Sequence, residues 1–421
     1  MNERSVSVNG ISIYSFTNPN LRSFCLSLYV RAGSIFEDLS NNGISHLFEH
    51  VVFRNIKNKY ENFYELLAMH GLCFQGSTYK KFVSFTIDGP QHEFDFAIEI
   101  LCGLFDEIKL TSHDFNNEKG RIKAEIREKD RRSSLDFYFD SVVWKNSEVE
   151  KIVLGYCKTI DRVSVKKINE FRQKVLSAGN CFVYATVNIS DKNLDALNKK
   201  ISELDIFQSN PGFTNTVTVN DEFFHREKKI WIKNNYWHYI QIGFDVDCSK
   251  YPGGVYDLLY ALLFNGDKAL VYNYLSEDNP IIYSYDSTFE QYDNVGNINF
   301  SFEVDRNKIE DVFKTVVELL NAAKDGRFNF EANLNYEMFN WELDLDNPDN
   351  LNWNMAYYNH ILKTQPIDYS DEFYGRFRVT KEQIIDAAKY IFRRCNMTVA
   401  VKGDRKKINA EAIEKILESL D

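Results

Sequence analysis

The chain runs twice through the same succession of hydrophobic patterns. VSVNGISIYSF (6–16) and SFCLSLYVRAG (23–33) alternate apolar and polar residues with the two-residue period of strands, and GISHLFEHVVF (43–53) then changes to helical spacing. The second half opens alike, with KKIWIK (228–233) and YIQIGFDVD (239–247) as strands before the helical GGVYDLLYALLF (253–264). Laid without a gap on Gly254–Phe264, the stretch Gly43–Phe53 matches at its apolar positions, Ile44, Leu47, Phe48 and Val51 falling on Val255, Leu258, Leu259 and Leu262. Further on, FTIDGPQHEFDFAIEILCGLF (85–105) and FEVDRNKIEDVFKTVVELLNAA (302–323) each lead from a strand into an amphipathic helix. Between the halves, QSNPGFTNTVTVND (208–221) is polar, carries Pro211 and Gly212, and lacks helical periodicity. These patterns predict an α+β fold of two homologous domains from an internal duplication, each a mostly antiparallel sheet packed with helices. The first is expected over 1–205, a linker over 206–222 and the second over 223–421.

The polar positions do not repeat. His46 falls on Asp257, Glu49 on Tyr260 and His50 on Ala261, so the duplicate shows what the helix needs for packing alone and the histidines are extra to it. Residues three and four apart share a helix face, which projects His46, Glu49 and His50 together. Two imidazoles so placed can hold one zinc ion, and a catalytic zinc needs a third protein ligand and an open position. HDFNNEKGRIKAEIREKD (113–130) offers Glu118 and Glu125, seven apart on one face with Ile122 between them and Ser112 or Asp114 to cap the start. Alone, the histidine pair is compatible with a buried helix and the glutamates with a solvated face. Together they point to a metal centre with Glu125 as ligand and Glu118 in support, and in the second half those glutamates fall on Asn333 and Asn340.

Composition narrows the rest. At 421 residues, 44% hydrophobic and 15% aromatic, the chain is that of a folded protein with enough length for two cores. A net charge of −11 provides no overall positive field for nucleic acid or anionic lipid. The polar start, MNERSVSVNGISIYSF, lacks the apolar stretch of a secretory signal, and no apolar run is long enough to span a bilayer, so a cytoplasmic location is expected. Seven cysteines, scattered and without CxxC spacing, suggest reduced buried thiols and neither a disulfide frame nor a thiolate metal site.

HLFEH (46–50), followed 75 positions after His50 by Glu125 with Glu118 before it, resembles the inverted-zinc HxxEH motif of the pitrilysin, insulinase and mitochondrial processing peptidase family. The resemblance extends to VNG (8–10), VRAGSIFEDLSNNGISHLFEH (30–50), LGYCKTIDRVSVKKINEF (154–171) and the duplication itself, in the manner of half-length bacterial members. It implies a zinc endopeptidase with one Zn2+ per chain, His46, His50 and Glu125 as ligands, Glu49 as base and Glu118 as the carboxylate behind a ligand. The peptide substrate would add as a strand to a sheet edge, here GLCFQGSTYKKFVSF (71–85), where Gln75, Gly76, Ser77 and Thr78 replace the family's usual Asn-Ala pair before Ser or Thr.

The second half departs further. Active relatives carry an arginine and, seven residues on, a tyrosine that stabilise the developing oxyanion. Tyr283 fits the tyrosine, Ser276 stands where the arginine belongs, and no arginine occurs between Arg226 and Arg306. The resemblance therefore implies a homologous partner subunit that supplies the Arg/Tyr pair, a heterodimer favoured over a homodimer, acting on unstructured peptides such as leader or precursor peptides. The alternative is a non-catalytic structural or peptide-binding subunit with the same fold.

Overall fold

Alternation in the first half builds a six-stranded sheet. The computed structural model describes residues 3–132, 134–188, 191–207, 222–363, 366–369 and 377–420. Its first sheet comprises β1 (Glu3–Val8), β2 (Ile11–Thr17), β3 (Ser23–Val30), β4 (Cys73–Thr78), β5 (Val83–Pro90) and β6 (Cys181–Val187), in the order β1-β2-β6-β3-β5-β4. Neighbours are antiparallel except for β2 and β6, which run parallel. β1 turns into β2 through Asn9 and Gly10, both at positive φ, the two-residue hairpin that an Asn-Gly pair favours.

β3 lies inside this sheet and is covered on both faces. Phe24, Leu26, Leu28 and Val30 join the core cluster that includes Leu47, Phe48 and Val51 of the helix Ile44–Lys57. On the other face, Tyr29 donates its hydroxyl to Asn352 Oδ1 at 2.9 Å, and Asn352 Nδ2 donates to the carbonyls of Cys25 and Tyr184. Asn352 belongs to the helix Pro348–Met355, which comes from the second half of the sequence.

A second sheet repeats the scheme with β7 (Ile230–Asn234), β8 (Tyr239–Asp247), β9 (Asp286–Tyr292), β10 (Val295–Glu303) and β11 (Met397–Gly403), in the order β7-β11-β8-β10-β9. Its one parallel pair, β7 with β11, corresponds to β2 with β6. The helix Ser134–Val143, from the first half, packs on this sheet: a β-carbon on Gly243 would lie 2.6 Å from the Phe139 ring, so that close approach requires glycine. The chain therefore forms two compact units that exchange segments. One contains Met1–Arg132, Glu148–Val217 and Glu342–Ile361, the other Ser133–Ser147, Thr218–Trp341 and Leu362–Asp421. The contiguous ranges 1–205 and 223–421 do not assign the two exchanged segments in this way, and most of the expected linker lies outside the described residues. None of the described helices is long and apolar enough to cross a membrane.

Candidate metal centre

The helix Ile44–Lys57 is fixed at its start by an anion. Glu37, buried, accepts hydrogen bonds from the backbone N–H groups of Gly43 and Ser45 at 2.7 and 2.8 Å and from Asn42 Nδ2 at 2.8 Å. It thereby satisfies donors that the helix cannot pair internally and places negative charge at the positive end of the helix dipole. Gly43, at φ 94°, could not bear a β-carbon without approaching Leu154 O to 2.7 Å. Glu37 was not among the residues expected to matter, because two of these three donors are backbone groups that carry no sequence signature.

The helix Ser112–Arg132 is held beside it. Arg54 donates to Asp114 Oδ1 at 2.5 Å across the two helices. Thr111 caps the second helix, accepting from the Asp114 N–H at 3.1 Å and donating to Asp114 Oδ2 at 2.8 Å. The cap is thus one residue before the expected Ser112, and Asp114 instead accepts from the cap's hydroxyl and forms the cross-helix pair.

This arrangement brings the motif side chains together. His46 Nε2 lies 3.6 Å from Glu125 Oε2, the His46 and His50 rings meet nearly edge to face at 4.7 Å, and donor atoms of His46, His50 and Glu125 lie within 4.8 Å of one another. Burial, then electrostatic repulsion from His50 and Lys129, lowers the pKa of His46 to about 3, so its imidazole is neutral at pH 7 with a lone pair available. Its Nδ1 is buried without a hydrogen-bond partner. Glu118, also buried, sets Oε2 3.5 Å from His50 Nδ1 and leaves the opposite ring nitrogen free. Two imidazoles and a carboxylate that converge without hydrogen-bonding one another fit the three-ligand, open-position pattern of a zinc centre.

Glu49 lies on the same face. Thr78 donates to its Oε2 at 2.6 Å, and burial raises its pKa above the ordinary carboxylate range despite that bond and the nearby His50. Thr78 belongs to β4, which is the edge of its sheet. The four residues expected to line an added strand divide by the pleat: Gly76 and Thr78 face Glu49, and Gln75 and Ser77 project to the other face. Gly76 has a steric role, since a β-carbon there would stand 2.8 Å from Glu49 Cγ.

Tyr283 belongs to the second unit, where it is 98% exposed at the wall of a cavity of about 840 Å³. Ser276 lies in the helical stretch Asn273–Glu277. Trp237 and Arg306 line the same cavity as Tyr283, and the seven-residue spacing gave no means of connecting that arginine to the tyrosine.

Residues 13–155 match the family model for insulinase, peptidase family M16, and residues 162–332 match the model for the peptidase M16 inactive domain. The chain belongs to the M16 family. This M16 chain is 21% identical over 332 residues to YmxG of Bacillus subtilis (strain 168), described as an uncharacterized zinc protease, covering 77% of this chain and 79% of that one. It is 24% identical over 170 residues to the mitochondrial-processing peptidase subunit beta of Saccharomyces cerevisiae, covering 39% of this chain and 37% of that protein. Its fold is similar to that of a protease from Helicobacter pylori with a TM-score of 0.83, 18% identity and coverage of 96% and 99%. The family expectation and the duplicated α+β architecture are both met.

Proposed function

We propose that this M16 chain is the zinc-bearing subunit of an endopeptidase for unstructured peptides, completed by a homologous partner chain. The observation that carries the reading is the convergence of the His46, His50 and Glu125 donor atoms within 4.8 Å. Relatives named as zinc proteases support it. In this reading His46, His50 and Glu125 hold the ion and Glu118 orients His50. Zinc bound there supplies a Lewis acid for the scissile carbonyl and lowers the pKa of water toward about 7.

The proton transfers fall to Glu49. Thr78 occupies Oε2, which leaves Oε1 to take a proton from the attacking water, and the raised pKa makes this carboxylate a stronger base than a solvated one. The same oxygen then returns the proton to the leaving amine nitrogen. The β4 edge offers unpaired backbone groups to an extended peptide, which favours segments without folded structure. With Ser276 at the arginine position, one oxyanion donor is missing, a loss of typically about 10²–10³ in turnover that a partner chain bearing the Arg/Tyr pair restores.

Glu49→Gln tests the reading against a non-catalytic, peptide-binding role. Turnover of a quenched peptide by the assembled enzyme is expected to fall by about 10²–10⁴, with zinc content and peptide affinity retained. Unchanged turnover removes Glu49 as the base.

A further inference from the structure

A second group of donor atoms lies on the opposite face of the first sheet. Strand pairing sets Cys25 of β3 directly against Asp88 of β5, and Asp88 against Cys73 of β4. Directly paired residues project to the same face, so the three form a row across the strands. That face also carries Tyr29 and is covered by the helix Pro348–Met355. Asp349, in the first turn of this helix, brings its Oδ1 to 3.6 Å from Cys25 Sγ. Donor atoms of Cys25, Asp88 and Asp349 lie within 4.8 Å of one another, the same convergence found for the two histidines and Glu125.

Cys25, 0% exposed, reaches Asp349 Oδ1 and Ser27 Oγ at 3.6 Å each, whereas Asp88 Oδ1 is buried without a hydrogen-bond partner. Thr186 of β6, paired with Cys25 on its other side, is likewise 0% exposed with an unpartnered hydroxyl. Burial and then Asp349 raise Asp88 to about 6, countered by a hydrogen bond with Cys73. Burial followed by Asp349 likewise pushes the Cys25 thiol up. A cation there would offset the partly buried Asp88 carboxylate and its unpartnered oxygen beside the buried thiol.

We propose that Cys25, Asp88 and Asp349 bind a divalent cation of the zinc class, with Cys73, the cross-strand neighbour of Asp88, as a candidate fourth donor. The sulfur excludes calcium and magnesium, which take all-oxygen sites, and suits zinc or cobalt(II). On binding, the Cys25 S–H bond breaks as the sulfur–metal bond forms, and the proton leaves to solvent. Because two donors come from the sheet and one from Pro348–Met355, the ion fastens that exchanged helix to the first sheet. The site is independent of the one carrying Glu49 and stands whether or not the chain is a peptidase. Scattered cysteines without CxxC spacing gave no sign of it, since strand register, not chain spacing, assembles the row.

The experiment is a titration of the reduced, chelator-stripped full chain with Co2+, read by the thiolate-to-cobalt charge-transfer band in the near ultraviolet. The imidazole and carboxylate donors of the other site cannot produce that band. A saturable band is expected, unchanged in Glu125→Gln and lost in Cys25→Ser. Asp349 is exposed, so Asp349→Asn leaves the core intact, and it is expected to weaken the band's Co2+ affinity by at least about tenfold. Absence of the band from the unsubstituted chain, or full affinity in Asp349→Asn, overturns the proposal.

Discussion

The helices Ile44–Lys57 and Ser112–Arg132 have a counterpart in Gly253–Phe264 and Phe330–Asp344, and the two pairs treat their polar residues in opposite ways. In the second pair Asn333, at the position matched to Glu118 and 1% exposed, donates to the Leu258 carbonyl at 2.9 Å and accepts from Lys268 at 2.7 Å. Asn265 donates to Glu337 at 3.1 Å, and a positive lysine accompanies the buried acid. That group is complete within itself. In the first pair, His46, His50 and Glu125 converge at separations too long for hydrogen bonds, and a buried His46 nitrogen has no partner. One scaffold thus holds a finished polar network in one unit and, in the other, two imidazoles and a carboxylate that converge without hydrogen-bonding one another. The duplicate therefore serves as an internal control for which polar residues packing requires.

The comparison can be broken most forcefully at Glu125. Glu125→Ala is expected to remove one equivalent of zinc, read by elemental analysis, and to bring peptide hydrolysis to background. Next in size is the partner effect: adding a homologous chain with the Arg/Tyr pair is expected to raise turnover by about 10²–10³ over this chain alone, and equal turnover without it ends the heterodimer proposal. Gly76→Ala sharpens the role of Glu49, because the new β-carbon forces that side chain aside. A misplacement near 1 Å costs up to about 10² in kcat, with zinc content unchanged. The smallest effect on activity is expected from Asn333→Ala, which removes the side-chain donor to the Leu258 carbonyl and one of the acceptors of Lys268. Denaturant unfolding should show a loss of about 1–3 kcal/mol, and zinc content should not change.

Much of this was legible in the sequence because it rests on periodicity. Two-residue and helical repeats give the strand-to-helix succession twice, and the three- and four-residue spacing places His46, Glu49 and His50 on one face. What eluded the sequence depends on contacts between distant segments. Nothing in the pattern of the sequence assigns the helices Ser134–Val143 and Pro348–Met355 to the sheet of the other half. Alternation along β4 says that Gln75 and Gly76 face opposite ways, and only the contact with Glu49 decides which faces the motif. Glu37 acts on backbone N–H groups, and the row through Cys25, Asp88 and Cys73 exists only once β3, β5 and β4 are in register.

The central claim is most directly tested by anomalous diffraction at the zinc edge from crystals of the full chain grown with zinc. A peak about 2.0–2.2 Å from one nitrogen each of His46 and His50 and from a Glu125 oxygen is the predicted result. A fully ordered site without that peak, or with Glu125 turned away from both rings, contradicts it.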